Sequence, residues 1–306
     1  MAASHPPALD TLAGPAAPGD LEVMTFNLRY ASTETPNSWP QRRPAMGALL
    51  RIERPHLIGT QEGLAAQLRD IRADLGGRYA FVGTGRDGGD RGEFAAVFYD
   101  TARLSPQRSG HFWLSDTPDV VGSNTWAART VRMVTWVRFA DLVTGERFHA
   151  VNTHLDHVSE PARRRSAVLI RDRLAAFQPR LPIVLTGDFN AAAGAGNPVY
   201  DLLVGSGRFV DAWTAASARG AAVGTCPGWG PAVPDGDRID WILTTPDVAV
   251  RAAAINTHRD GGQCPSDHLP VQARLRLPTS GPLGTSWRTL FGAGAPKGVR
   301  SGRRPP

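Results

Sequence analysis

Gly187-Asp188-Phe189-Asn190 and Ser266-Asp267-His268-Leu269-Pro270 each set a carboxylate beside a group that can orient or move a proton. The first follows an apolar run, Ile183-Val184-Leu185, and the second leads into an alternating pattern, Leu269, Val271, Ala273, Leu275. Acid, amide and imidazole at strand ends are what metal-assisted hydrolysis of a phosphate ester requires. In chain order the candidates are Asn27, Glu62, Glu93, His154, Asp188, Asn190, Asp240, Asp267 and His268. Each alone has a plainer explanation: a strand-end Asp or Asn more often caps a turn, and Glu62 could cap the helix after it. Their weight comes from occurring as a set, almost all at or just past the end of an expected strand.

The elements that must position them follow from hydrophobic periodicity. Strands are expected at Leu21–Phe26, Leu57–Thr60, Tyr79–Val82, Phe94–Tyr99, Met133–Phe139, Phe148–Thr153, Ile183–Thr186, Ile239–Thr244 and Val271–Leu277. Helices are expected from Pro44 to Arg54, through Leu64, Leu68, Ile71 and Leu75, from Ser159 past Leu174, and near Tyr200–Val204. Several neighbouring strands lack an intervening helix, which favours a mixed-sheet α/β sandwich over a barrel or a doubly wound fold. With no linker or repeat inside it, residues 21–278 read as one catalytic domain between a Pro/Ala-rich segment, 1–20, and a tail, 279–306. Gly83-Thr84-Gly85-Arg86-Asp87-Gly88 matches a dinucleotide fingerprint literally, but the polar loop after it offers no helix N-terminus to a pyrophosphate.

The 306 residues carry a formal net charge of +6, yet five of those charges (Arg288, Lys297, Arg300, Arg303, Arg304) lie in a tail without acids. The body is nearly neutral, which weakens the case for a long nucleic-acid duplex as partner. The tail reads as a solvated, disordered basic segment. No 18-residue apolar stretch exists to span a membrane, and Met1–Asp20 lacks the pattern of a signal peptide. A cytoplasmic monomer is the default expectation, with secretion open if the start codon is mis-assigned. Cys226 and Cys264 lack zinc-site spacing and are either free thiols or one disulfide. Trp39, Trp113, Trp126, Trp229 and the arginines Arg29, Arg42, Arg43, Arg86 and Arg132 are candidates to line a small-ligand pocket, with core packing the better reading for Trp136 and Trp241.

The contexts Met24-Thr25-Phe26-Asn27-Leu28-Arg29-Tyr30, Gln61-Glu62, Gly92-Glu93-Phe94, Asn152-Thr153-His154-Leu155-Asp156-His157, Gly187-Asp188-Phe189-Asn190, Arg238-Ile239-Asp240-Trp241 and Ser266-Asp267-His268 together resemble the endonuclease/exonuclease/phosphatase superfamily. The resemblance covers Leu21 to Leu277 and is closest to a bacterial branch near the nocturnin and carbon-catabolite-repressor deadenylases. It implies a four-layer α/β sandwich, two mixed β-sheets packed face to face and flanked by helices. It implies a Mg2+ or Mn2+ site, of one ion or two, with Glu62 as principal ligand and Asn27 and Asp267 completing it. Asp240 would orient His268, Asp188 and Asn190 would position the attacking water, and His154, backed by Glu93, would act near the leaving group.

The expected activity is that of a phosphodiesterase acting on a nucleic acid, including 3′→5′ exonuclease action on RNA, or on a smaller diester. A lipid or sugar-phosphate hydrolase of the same fold is the alternative, and an inactive binding module would have lost residues that are all present here. Cys226 and Pro227 stand where members of that superfamily tend to carry an aromatic and a His, so substrate choice is the feature the resemblance fixes least.

Overall fold

The computed structural model describes Leu12 and residues 16–279, so the expectations for most of the N-terminal segment and for the basic tail lie outside the described residues. The elements run β1 (Leu21–Asn27), α1 (Trp39–Glu53), β2 (Leu57–Gly63), α2 (Ala65–Leu75), β3 (Tyr79–Val82), β4 (Phe94–Asp100), β5 (Leu104–Trp113) and β6 (Met133–Asp141). They continue through β7 (Arg147–His154), α3 (Glu160–Ala175), β8 (Ile183–Asp188), α4 (Pro198–Tyr200), β9 (Val210–Asp211), α5 (Ala212–Ala215), β10 (Ala218–Arg219), β11 (Asp240–Thr244), β12 (Ala249–Ile255) and β13 (Val271–Arg276).

Two mixed sheets result, one ordered β10-β12-β13-β1-β2-β4-β3 and the other β5-β6-β7-β8-β11-β9. Helices α1 and α2 cover the outer face of the first through Met24, Phe26, Ile58 and Phe98. The second sheet is covered by α3 through Val151, Leu185 and Leu243. The buried stripe of α3 is Ala162, Ser166, Ala167, Ile170 and Leu174, with Val168 and Leu169 half-buried beside it.

Between the sheets, the alternation of strand side chains sorts residues by chemistry along each strand. On β1 the inward face runs Leu21, Val23, Thr25, Asn27, and on β7 it runs Phe148, Ala150, Asn152, His154. On β8 it runs Val184, Thr186, Asp188. Each strand passes from apolar to amide or hydroxyl to a candidate site residue, and register aligns the layers: Asn152 pairs with Thr186, and His154 with Asp188. The apolar end forms the core, and the polar layer bonds across the sandwich. Gln61 Nε2 donates to Asn152 Oδ1 (2.7 Å), and Asn152 Nδ2 donates to the carbonyls of Thr60 (2.7 Å) and Ala96 (3.0 Å).

Gly59 lets the sheets approach at this layer, because a Cβ there would strike Thr186 Oγ1 and lie 2.7 Å from Asn152 Oδ1. Both neighbours are short side chains held by the network, so they cannot swing away. Gly59→Ala is expected to cost about 1–3 kcal/mol, the usual range for overpacking a core. A chemical melt tests this, and an unchanged midpoint would show that the sheets separate freely.

His149 carries a second stability prediction. It is buried at 2 % exposure against Trp136 and Phe177, and its Nδ1 has no partner among the described residues. Burial pushes its pKa down to about 4. Between pH 6.5 and 4 the unfolded chain therefore binds a proton that the folded chain refuses, so stability falls as pH falls through that window, by up to about 3 kcal/mol. Urea melts across the window should show a shallower slope for His149→Leu, and equal slopes would remove His149 as the cause.

The structure departs from the expected elements at several places, among them the short β9, α5 and β10, which the periodicity does not mark. Helix α1 starts at Trp39, capped by Ser38 with Pro40 in its first turn, and carries Pro44 inside it. Strands β5 and β12 were not anticipated. Trp39 and Trp113 are buried, donating Nε1 to Asp70 and to the Arg86 carbonyl, so they pack instead of lining an open pocket. Trp241 is core, as expected. Among the described residues no helix is long and apolar enough to cross a membrane.

Candidate active site

Strands β1, β2, β7 and β8 end at one rim where β11 begins, and Asp188 stands at its centre. Its Oδ2 accepts from Asn27 Nδ2 (2.9 Å), lies 3.3 Å from His154 Nε2 and 3.9 Å from His268 Nε2. Its Oδ1 accepts from the backbone of Asn190 (2.9 Å). Asn190 Nδ2 lies 3.0 Å from His154 Nε2 and donates to the Leu155 carbonyl. Asp240, the cross-strand neighbour of Asp188, places Oδ2 2.9 Å from His268 Nδ1. The structure thus brings together Asn27, His154, Asp188, Asn190, Asp240 and His268 from strand ends spread over most of the chain.

Glu62 joins them through a break in the ladder. A register shift falls between Thr60 and Gly63 of β2, and Glu62 adopts φ 63°. Its two carboxylate oxygens accept from Asn27 Nδ2 (3.1 Å) and the Tyr30 backbone (3.2 Å). Arg29 and Asn190 share the left-handed conformation, with φ 51° and 48°. Three non-glycine residues in this region, all at one rim, mark backbone strain held by the surroundings, as functional sites often show.

Asp267 lies 3.7 Å from Arg29 Nε, and its neighbour Ser266 donates to the Asn27 carbonyl while accepting from the His268 backbone. Glu93 departs from its expected role. It pairs with Arg86 Nη1 (2.6 Å) and lies 3.8 Å from Arg132 Nη1. Among the described residues, His154 Nε2 meets Asn190 and Asp188, while Glu93 is engaged by Arg86 and Arg132.

Charge is divided unequally among these groups. Burial raises the pKa of Asp188, and Asp240 adds to the rise. For His268 burial opposes the proton, but Asp240 outweighs it and lifts the imidazole well above its usual value. His154 moves the other way: burial first, then the Arg132 and His268 charges, hold it well below. One neutral and one cationic imidazole therefore flank a carboxylate of weakened acidity.

Two donor sets can hold a cation. Glu62, Asn27 and Asp267 offer only carboxylate and amide oxygens, which suits a hard ion such as Mg2+ or Mn2+. Asp188, Asp240 and His268 present ligand atoms within 4.8 Å of one another, and Asp240 Oδ1 is buried without a partner among the described residues. The imidazole makes that second set less suited to Mg2+, and His268 Nδ1 is already taken by Asp240.

Sequence reading missed three supports. Arg42, first read as a pocket residue, is fully buried. It donates to the carbonyls of Leu28, Pro265, Arg29, Tyr30 and Asn37, tying the loop after β1 to the loop carrying Asp267 and His268. Burial lowers its pKa to about 10, so it stays charged. Thr225 accepts from the backbones of Ile239 and Asp240, fixing the start of β11. Ser266 is the third, and its place beside Asp267-His268 was the available signal. Cys226 and Cys264 are free thiols in the structure, the first exposed and the second buried.

Residues 24–268 match the family described as Endonuclease/Exonuclease/phosphatase family. Among solved structures, a mannosyl-6-phosphatase from Bacteroides thetaiotaomicron is 34% identical with a TM-score of 0.78, covering 83% of this chain and 99% of its own. A functionally unknown conserved protein from Enterococcus faecalis is 28% identical (TM-score 0.76), again covering 83% and 99%. The human nocturnin catalytic domain with bound sulfate is 16% identical (TM-score 0.65; 86% and 96%), a likeness of fold alone. No curated protein sequence matches.

Proposed function

This chain belongs to the endonuclease/exonuclease/phosphatase family, and from that premise we propose that it hydrolyses the phosphate ester of a small hydroxyl-bearing molecule, a sugar phosphate, with a divalent cation as cofactor. Glu62, Asn27 and Asp267 would hold the cation, which when bound neutralises phosphoryl charge and polarises the ester. Asp188 takes the proton of the attacking water, because its raised pKa makes it a better base at neutral pH than an ordinary carboxylate. His268, kept cationic by Asp240, faces the phosphoryl oxygens and absorbs charge that grows during in-line displacement. His154 stays neutral and hydrogen-bonds near the leaving oxygen, which departs as the alcohol by taking up the proton that Asp188 received from the water. Environments that push paired groups apart in pKa divide these roles among residues only a few ångströms from one another.

One observation carries the choice of a small substrate: most of the arginines that could line the site are engaged by the protein itself, so no row of free cations remains. Arg42 serves backbone carbonyls, Arg43 binds Asp70 and Asp74, Arg86 binds Glu93, and Arg29 faces Asp267. Tracking a nucleic-acid backbone needs a row of cations free to neutralise successive phosphates. The 34% identical relative named as a mannosyl-6-phosphatase supports the same choice. The test is phosphate release with Mg2+ or Mn2+ from mannose 6-phosphate and other hexose phosphates, against cleavage of an oligonucleotide and of bis-p-nitrophenyl phosphate. Turnover of hexose phosphates is expected; oligonucleotide cleavage without it would overturn the reading.

A further inference from the structure

Beside His154 lies a shallow, open depression whose wall includes Glu62, Arg86, Glu93, Arg132 and Met133. Two guanidiniums and two carboxylates meet there, and of the carboxylates Glu62 is assigned to the cation while Glu93 is not. Arg86 is delivered by the glycine-rich loop that resembled a dinucleotide fingerprint. Gly85 N donates to the Gly89 carbonyl, and a Cβ at Gly85 would strike the Arg91 carbonyl. The Arg86 backbone is then clamped on both sides, its N–H on the Glu93 carbonyl (3.0 Å) and its carbonyl on Trp113 Nε1 (2.7 Å). The glycines serve this tight loop and present a side chain, where a true fingerprint presents backbone to a pyrophosphate.

Arg132 completes the wall. It is buried at 7 % exposure, with Nη2 3.1 Å from His157 Nδ1 and Nη1 3.8 Å from Glu93. Its Nε has no partner among the described residues. Arg86 and Arg132 set donors on either side of Glu93, and Glu93, half-buried, is an acceptor that a further donor can approach. A ligand that both accepts and donates at adjacent atoms meets those demands together, and neighbouring hydroxyls do so.

We propose that Arg86, Glu93 and Arg132 form a subsite that binds adjacent hydroxyls of the leaving alcohol, selecting a polyhydroxylated leaving group over a plain one. The inference rests on the hydrolysis of small phosphate esters proposed above. It assigns recognition of the alcohol to the wall beside His154. Glu93 thereby acts on the ligand and not as the orienting partner of His154.

The test compares kcat/KM for mannose 6-phosphate and phenyl phosphate in the wild type, Arg86→Lys and Glu93→Gln, two substitutions that keep side-chain bulk. Because Arg132 is buried, Arg132→Lys is added only if its melting curve matches the wild type. Losing a hydrogen bond that involves a charged group costs a factor of roughly 10–100. The preference for the sugar ester should fall by that factor in each variant, and a preference unchanged within about twofold, below the energy of any such bond, would overturn the subsite.

Methyl α-mannopyranoside, which carries no phosphate, gives a readout independent of turnover. Saturation-transfer NMR should show it binding the wild type and weakening in Glu93→Gln. If the wild type hydrolyses no sugar phosphate, the functional reading fails and this binding alone decides the subsite. Pyranoside binding that is absent, or identical in both proteins, overturns it.

Discussion

Asp188→Asn is expected to lower kcat by about 10²–10⁴-fold, the usual contribution of a positioned acid–base group, while leaving the fold as stable or more so. The substitution preserves volume in a residue exposed by only 1 %. It removes the base, and it can turn an NH2 toward Asn27 Nδ2 and His154 Nε2, where Oδ2 now stands. The stability half follows from linkage. Burial and Asp240 raise the folded pKa of Asp188 above its unfolded value. In the window between those two values the folded state holds a proton that the unfolded state releases, so stability falls as pH rises through it. Asparagine does not titrate, so the variant escapes that penalty at neutral and higher pH in chelator. Activity lost together with a large drop in melting temperature at pH 8 would make Asp188 a structural residue. Loss of activity with equal or higher melting temperature is the expected exchange of function for stability.

How much of this was legible in the sequence depends on the kind of constraint. The site residues could be found because period-2 alternation carries a strand's chemistry to its end: Phe148, Ala150, Asn152, His154 can be read without coordinates. The missed strands lacked that signal. The middle of β5, Ser105-Pro106-Gln107-Arg108-Ser109, is polar and mostly exposed because it lies on a sheet edge, where proline is tolerated. Most of β12 is alanine, which favours helices and is turned into strand by pairing with β13. Glu93 and Arg42 were assigned roles that their neighbours decide: nothing local says that Arg86 claims the first or that five carbonyls claim the second. The left-handed turns at Arg29, Glu62 and Asn190 were equally hidden, since sequence flags such turns through glycine.

Those turns bear on the metal. Glu62 is held out of its strand at φ 63°, a cost of order 1–3 kcal/mol that the fold bears in return for aiming the carboxylate at Asn27 and the rim. Glu62→Gln keeps the size and the turn but makes one of the two terminal atoms a donor. Asn27 Nδ2 and the Tyr30 N–H both need an acceptor there, so the amide can satisfy only one, and its ligand oxygen loses charge. Turnover at a fixed, low Mg2+ concentration should therefore drop by at least about 10²-fold, the lower end of what a positioned catalytic group contributes.

Excess chelator should abolish wild-type turnover, and added Mg2+ should restore it. Thermal shift supplies a readout apart from activity. A ligand present at a hundred times its Kd stabilises the folded state by about 2.7 kcal/mol, so Mg2+ should raise the wild-type melting temperature and raise that of Glu62→Gln much less. An equal Mg2+-induced shift in both proteins would move the cation to Asp188, Asp240 and His268, the other donor set at this rim. Full wild-type turnover in chelator would leave the chemistry to the imidazoles and carboxylates alone.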